Sequence, residues 1–157
     1  MNKQITVFTP SYNRSKSLER VYKSLLKQNH ELFEWLVVDD GSSDDTHEVL
    51  LELKQNAPFK IQYFYQVNGG KHRAHNTALG LANSELMLIL DSDDELYPYA
   101  IDAISREWLS VPDSERKTYA GIIGHSADES GSMIGELYPE NIKDGYWFSL
   151  VHDGILT

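Results

Sequence analysis

Leu86-Met87-Leu88-Ile89-Leu90-Asp91-Ser92-Asp93-Asp94-Glu95 is the stretch around which the chain is organised. Five apolar residues in a row predict a central strand buried on both faces, as in a parallel sheet. Asp91, Asp93, Asp94 and Glu95 then crowd four carboxylates into five positions, where like charges repel and burial raises the cost. A hard divalent cation such as Mg²⁺ or Mn²⁺ relieves that repulsion, because it prefers carboxylate oxygens. In open α/β sheets ligands bind beyond the carboxyl ends of the strands, where these acids stand. The competing reading is a solvated acidic loop with no ligand.

Working outward, strand and helix patterns alternate. A β-rich run over residues 5–9 is stopped by Pro10, and Leu18, Val21, Tyr22, Leu25 and Leu26 follow as the stripe of an amphipathic helix. Residues 35–38 form a second apolar strand, and Ser42 to Asp45 has capping spacing before a stripe of Thr46, Val49, Leu50 and Leu53. Residues 61–65 are a third strand with its turn at Asn68-Gly69-Gly70, and a helix is expected over 71–82. After the acidic stretch a helix is expected over 98–108, with Pro98 in its first turn. Four such alternations predict an α/β fold whose mostly parallel sheet carries helices on both faces. Beyond Pro112 the rhythm changes: residues 119–125 and 133–138 suggest two strands about a turn at Ser130-Gly131-Ser132, and residues 141–157 show no clear period.

The chain has 157 residues, 41% of them hydrophobic and 24% charged, which fits one globular domain with ample length for a core. No apolar run approaches the roughly 18 residues of a membrane span, so no transmembrane segment is expected. The absence of cysteine excludes a disulfide framework and thiolate chemistry. A net charge of -10 argues against nucleic acid as a partner, and a phosphate-bearing ligand would need a bridging cation or a local basic patch.

Three loops leave the same edge of the predicted sheet, at residues 9–14, 39–42 and 91–95, and can converge on one ligand. Tyr12 offers a ring for stacking on a planar base or for packing its own loop. Asp40 offers an acceptor for an imide N–H or a ribose hydroxyl, or an Asx turn before Gly41. Lys71, His72, Arg73 and His75 are the basic cluster of this acidic chain and follow Gly69-Gly70 at a helix start, where the dipole favours a diphosphate. The same cluster also reads as a solvated helix face. The histidines show no H-x₃-H spacing and pair with no cysteine, which makes zinc a poor fit; His30, His47, His125 and His152 read as ordinary residues. A strand ending in D-x-D also suits haloacid-dehalogenase phosphatases, but here it lies mid-chain and continues with Asp94-Glu95. Val37-Val38-Asp39-Asp40 suits receiver domains, but those carry the acidic pair on their first strand.

Four motifs in order carry a more specific resemblance. Thr9-Pro10-Ser11-Tyr12-Asn13-Arg14, Val37-Val38-Asp39-Asp40-Gly41-Ser42-Ser43-Asp44, the segment from Asn68-Gly69-Gly70-Lys71 to Asn76, and Leu90-Asp91-Ser92-Asp93-Asp94 resemble the family 2 glycosyltransferases over residues 3–110. The resemblance implies a GT-A (Rossmann-like) fold and an inverting transferase using a UDP-sugar with Mn²⁺ or Mg²⁺. It implies that Pro10, Tyr12, Arg14, Asp40, Lys71, Asp91 and Asp93 bind the nucleotide-sugar, with Asp40 on the uracil, and that Asp93 and Asp94 hold the metal. It implies one domain over 1–157, cut short at its C-terminus, with 1–110 the nucleotide-sugar half and 111–157 the start of the acceptor side. The expected acceptor is a glycan or lipid-linked glycan in polysaccharide or cell-surface glycan synthesis. The expected site of action is cytoplasmic, at the inner face of the membrane, with a homo-oligomer as a further expectation.

Inversion needs a base for the acceptor hydroxyl. Asp128, Glu129, Glu136, Asp144 and Asp153 are candidates, but none stands in a family context, so the base is expected beyond Thr157. Two rival readings are a metal-dependent nucleotidyltransferase or phosphatase, and a nucleotide-binding fragment without turnover.

Overall fold

The computed structural model describes residues 3–128 and 130–135. In chain order it has β1 (Ile5–Ser11), α1 (Ser15–Leu25), β2 (Phe33–Asp39), α2 (Thr46–Asn56), β3 (Ile61–Tyr65), α3 (Lys71–Leu81), β4 (Leu86–Ile89) and α4 (Ala100–Ser110). The four strands form one parallel sheet in the order β3-β2-β1-β4. The chain steps outward from β1 to β3 and then returns to the far side of β1. That reversal opens a crevice beyond the carboxyl ends of β1 and β4.

Helices cover both faces. Leu18, Val21 and Leu25 of α1, Leu50 of α2 and Ile101 of α4 pack on Ile5, Val7, Phe33, Trp35 and Val37 of the sheet. Ala74 and Ala78 of α3 pack on Phe8, Leu36 and Val38 on the opposite face, where small side chains let the helix lie close. Each large apolar side chain fully buried here contributes about 1.5–3 kcal/mol by leaving water. The hydrogen bond from Trp35 Nε1 to Thr9 Oγ1, at 3.0 Å, satisfies the one polar atom of the largest buried side chain.

Several expectations need correction. Among the described residues β4 is not enclosed as expected: it pairs with β1 alone, is only half-buried, and leaves Ile89 49% exposed. The fully buried strand is β2, which has a neighbour on each side and a helical layer over each face. β1 does not stop at Pro10 but runs through it to Ser11. Phe8 accepts a hydrogen bond from Leu90, and Pro10, two residues on, faces the same side, where β4 has already ended. Its missing N–H therefore leaves no ladder bond unmade. Ser42 does not cap α2; the carboxylate of Asp44 accepts from Thr46 N at 3.1 Å and Thr46 Oγ1 at 2.5 Å instead. Pro98 precedes α4 rather than opening it, and left-handed Tyr99 (φ 65°) occupies the N-cap.

The described residues from Ile122 onward belong to a second unit. Its described strands are Ser126–Ala127 against Met133–Ile134: the first lies just beyond the expected 119–125, and the second starts at Met133 as expected. The turn at Ser130-Gly131-Ser132 forms around Asp128, whose Oδ1 accepts from the backbone N–H groups of Ser130 and Ser132. Residues 136–138 and 141–157 lie outside the described residues.

Candidate functional site: a cleft at the strand ends

The loops leaving β1, β2 and β4 meet, with the start of α3, around a cleft of about 290 Å³. Pro10, Tyr12, Arg14, Asp40, Lys71, Asp91 and Asp93 all line it, together with Ser11, Ala74 and Ser92. Strand-end geometry accounts for the convergence: in a parallel sheet successive strands deliver their loops to one edge.

On the β1 side, Asn13 takes a left-handed conformation (φ 53°), which an Asn tolerates. Its Oδ1 accepts from Ser43 N at 2.8 Å, while its own N–H donates to Ser42 Oγ at 2.9 Å. This bracket ties the β1 and β2 loops together and leaves the Tyr12 ring about half exposed at the cleft. Gly41 sits where only glycine fits: φ is +83°, and a Cβ there would lie 2.8 Å from the backbone nitrogen of Asn68.

The β2 end holds two buried carboxylates. Asp39 accepts from Ser42 N at 2.8 Å and from the Tyr63 hydroxyl at 3.0 Å. Burial, then that hydrogen bond and the charge of Asp39, raise the Tyr63 phenol pKa. Asp40 Oδ1 accepts from Gln66 Nε2 at 2.6 Å and Gly69 N at 3.0 Å, and Oδ2 accepts from Gly70 N at 2.7 Å. Burial alone pushes the Asp40 carboxyl up, but these three donors and nearby His72 outweigh it and hold the group below the ordinary carboxylate range. A carboxylate offers about four acceptor directions, so one remains, on Oδ2.

The β4 end is charged and open. One oxygen from each of Asp91, Asp93 and Asp94 lies within 4.8 Å of the others. Lys71 Nζ pairs with Asp91 Oδ2 at 2.7 Å, and Arg14 Nη2 stands 3.9 Å from Asp93 Oδ2. Arg20, on α1, donates to the Asp93 carbonyl and pairs with Glu95 at 3.5 Å. Asp91 Oδ1 and the Ser11 hydroxyl, both at the cleft, are buried without a hydrogen-bond partner. Buried polar groups in folded proteins normally have a partner, so both oxygens remain open to a water or a ligand in the cleft.

The basic cluster does not act as a block. Lys71 lines the cleft, whereas the His75 ring stands edge-on to Phe8 at 5.0 Å and Arg73 packs against Gly69. Helical spacing separates them: Lys71 and Ala74, three apart, share the cleft face. Of the candidate bases, Asp128 is committed to its turn, whose hydrogen bonds lower its pKa, and Glu129, Glu136, Asp144 and Asp153 lie outside the described residues.

Sequence reasoning missed Asn13, Arg20, Gln28 and Gln66. Gln28 had a signal: it continues the buried stripe of α1, where an apolar residue is expected, and is 6% exposed. Its side chain donates to the carbonyls of Ser24 and Tyr97 and accepts from Ile101 N, tying the acidic loop and the start of α4 to α1.

With this geometry in view, comparison with known proteins is decisive. The family model described as glycosyl transferase family 2 matches residues 6–113. The chain belongs to that family. It is 34% identical over 143 residues to a Campylobacter jejuni GalNAc(5)-diNAcBac-PP-undecaprenol beta-1,3-glucosyltransferase, covering 89% of this chain and 44% of that one. Among solved structures it resembles S. aureus TarS 1-349 in complex with UDP-GlcNAc, with TM-score 0.63 and 30% identity over 70% of this chain and 32% of that one. It also resembles the mannosyltransferase PcManGT of Pyrobaculum calidifontis in complex with GDP-Man and Mn²⁺, with TM-score 0.61 and 29% identity over 71% and 34%. The sheet and its flanking helices are thus the expected GT-A arrangement. The chain spans less than half the length of the curated relatives and solved chains it matches. Among the described residues no helix is long and apolar enough to cross a membrane.

Proposed function

We propose that this chain forms the donor site of an inverting glycosyltransferase that takes a UDP-sugar and passes the sugar to a hydroxyl of a glycan or lipid-linked glycan. The observation that carries this reading is the convergence of an aromatic ring, a buried carboxylate acceptor, a lysine and the carboxylates of Asp91 and Asp93 on one cleft, with Asp94 beside that pair though outside the cleft lining. The likeness to a UDP-GlcNAc complex and to an undecaprenol-linked glycan transferase supports it. On this reading the chemistry takes place on the cytoplasmic side, at the membrane surface, with residues 1–110 as the donor half and 111–157 beginning the acceptor half.

The residues divide the donor between them. Tyr12 stacks on the base beside Pro10, and the free acceptor direction of Asp40 Oδ2 takes the uracil imide N–H. Lys71 and Arg14, now paired with Asp91 and Asp93, turn to the diphosphate when it arrives. Asp91, Asp93 and Asp94 form a donor set that fits Mn²⁺ or Mg²⁺: hard oxygens close together, with Asp91 Oδ1 free of any hydrogen-bond partner. A bound cation supplies neutralisation of charge on the departing diphosphate. Asp91 thereby joins Asp93 and Asp94 as a metal ligand. The base for the acceptor hydroxyl comes from outside the described residues.

Calorimetric titration of UDP, GDP and CDP with Mn²⁺, and again with EDTA, tests this. Metal-dependent binding selective for UDP is expected. Selectivity for GDP would shift the donor class toward that of the mannosyltransferase, and no binding of any nucleotide would overturn the reading.

A further inference from the structure

Gln66 lies outside the cleft lining yet sits at the crossing point of its hydrogen bonds. Its backbone N–H donates to the Asp39 carbonyl at 2.9 Å, which registers the end of β3 on the end of β2. Its side-chain nitrogen donates to Asp40 Oδ1 at 2.6 Å, and its side-chain oxygen accepts from Thr77 Oγ1 on α3 at 2.7 Å. Asp40 in turn takes the N–H groups of Gly69 and Gly70, and the Gly70 carbonyl accepts the first α3 bonds, from Arg73 and Ala74.

The helix needs this help. α3 has no side-chain cap of its own, and the two residues before it are glycines, the type with most backbone freedom to lose. The carboxylate of Asp40, just past β2, takes the N–H groups of the two residues before the helix, as the acid of a capping box takes the N-cap N–H, and its charge suits the helix N-terminus. The very next residue is Lys71, whose ammonium reaches the acidic triad.

We propose that Gln66 is a positioning residue, and that the Thr77–Gln66–Asp40–Gly70 strap sets where Lys71 stands. The strap makes the base-reading carboxylate also govern the diphosphate end of the cleft. This rests on the donor-site reading above and adds to it a residue that touches neither base nor phosphate.

The test compares wild type with Gln66→Leu, which keeps the bulk and removes both side-chain bonds, and with Thr77→Val, which cuts the helix link alone. Two readouts are taken. Amide hydrogen exchange at Gly69, Gly70 and the first turn of α3 reports the strap without any ligand. Affinity for pyrophosphate with Mn²⁺ reports its effect on Lys71. Gln66→Leu is expected to speed exchange at those amides and to weaken pyrophosphate about five- to tenfold, roughly one lost hydrogen bond, with Thr77→Val intermediate. Unchanged exchange in folded Gln66→Leu would overturn the strap. Faster exchange with unaltered pyrophosphate affinity would overturn its hold on Lys71. A wild type that binds neither UDP nor pyrophosphate would sink the donor-site reading, while exchange still decides the strap.

Discussion

The ends of β2 and β4 both carry clustered acids, and they treat them in opposite ways. Asp39 and Asp40 are buried and satisfied by neutral donors: backbone N–H groups, the Gln66 amide and the Tyr63 hydroxyl. Asp91, Asp93 and Asp94 are more exposed, and Asp91 and Asp93 pair with the cations of Lys71 and Arg14, on side chains half in water. Neutral fixed donors make a carboxylate part of the framework. Solvated cations on long stems form exchangeable pairs worth little each. One end is therefore built to hold shape and the other to change partners, as a site receiving both a cation and a diphosphate must.

That contrast can be broken at either end. Removing a framework carboxylate has the largest expected effect: Asp40→Ala leaves Gly69, Gly70 and Gln66 without their acceptor and should cost about 2–3 kcal/mol in urea unfolding. A loss below about 0.5 kcal/mol would mean the strand end tolerates an empty acceptor.

Acid sharpens the same point. Asp40 and Asp44 both sit below their ordinary pKa, since hydrogen bonds outweigh burial at each. Their contribution is present above the unfolded value of about 3.9 and is lost as pH falls through the lower folded value, where the unfolded chain binds more protons. Unfolding midpoints should therefore drop below pH 4. Asp40→Asn should flatten that slope, and Asp44→Asn, at a more exposed position, should flatten it less.

The smallest effect on stability belongs to the exchangeable end. Asp93→Asn should shift the unfolding free energy by no more than about 0.5 kcal/mol while abolishing the manganese dependence of UDP binding. Wild-type metal dependence in that variant would remove Asp93 from the ligand set.

Much of the fold was legible because short-range rules govern it. The order of four strands and four helices follows from runs such as Trp35-Leu36-Val37-Val38 and the stripe Leu18, Val21, Leu25, which alternate between extended and helical periods. The gathering of seven expected residues at one cleft follows from the parallel sheet, which returns every β–α loop to the same edge. The rank of β4 was not legible. Five apolar residues look alike in an enclosed strand and in a half-buried one, and among the described residues the pairing of β1 with both β2 and β4 decides which strands are enclosed. The basic run at residues 71–75 likewise divides because a helix turns its neighbours to different sides.

Local chemistry thus settled which segments become strands, helices and turns, and which family's motifs the chain carries. Pairings distant in the chain were settled by the tertiary structure: Asp40 with Gly70, Gln66 with Thr77, Arg20 with Glu95, Gln28 with Ile101. Periodicity reports what a residue does within its own turn or pleat. A carboxylate's role depends on which donors reach it, and those arrive from segments brought beside it when the sheet assembles.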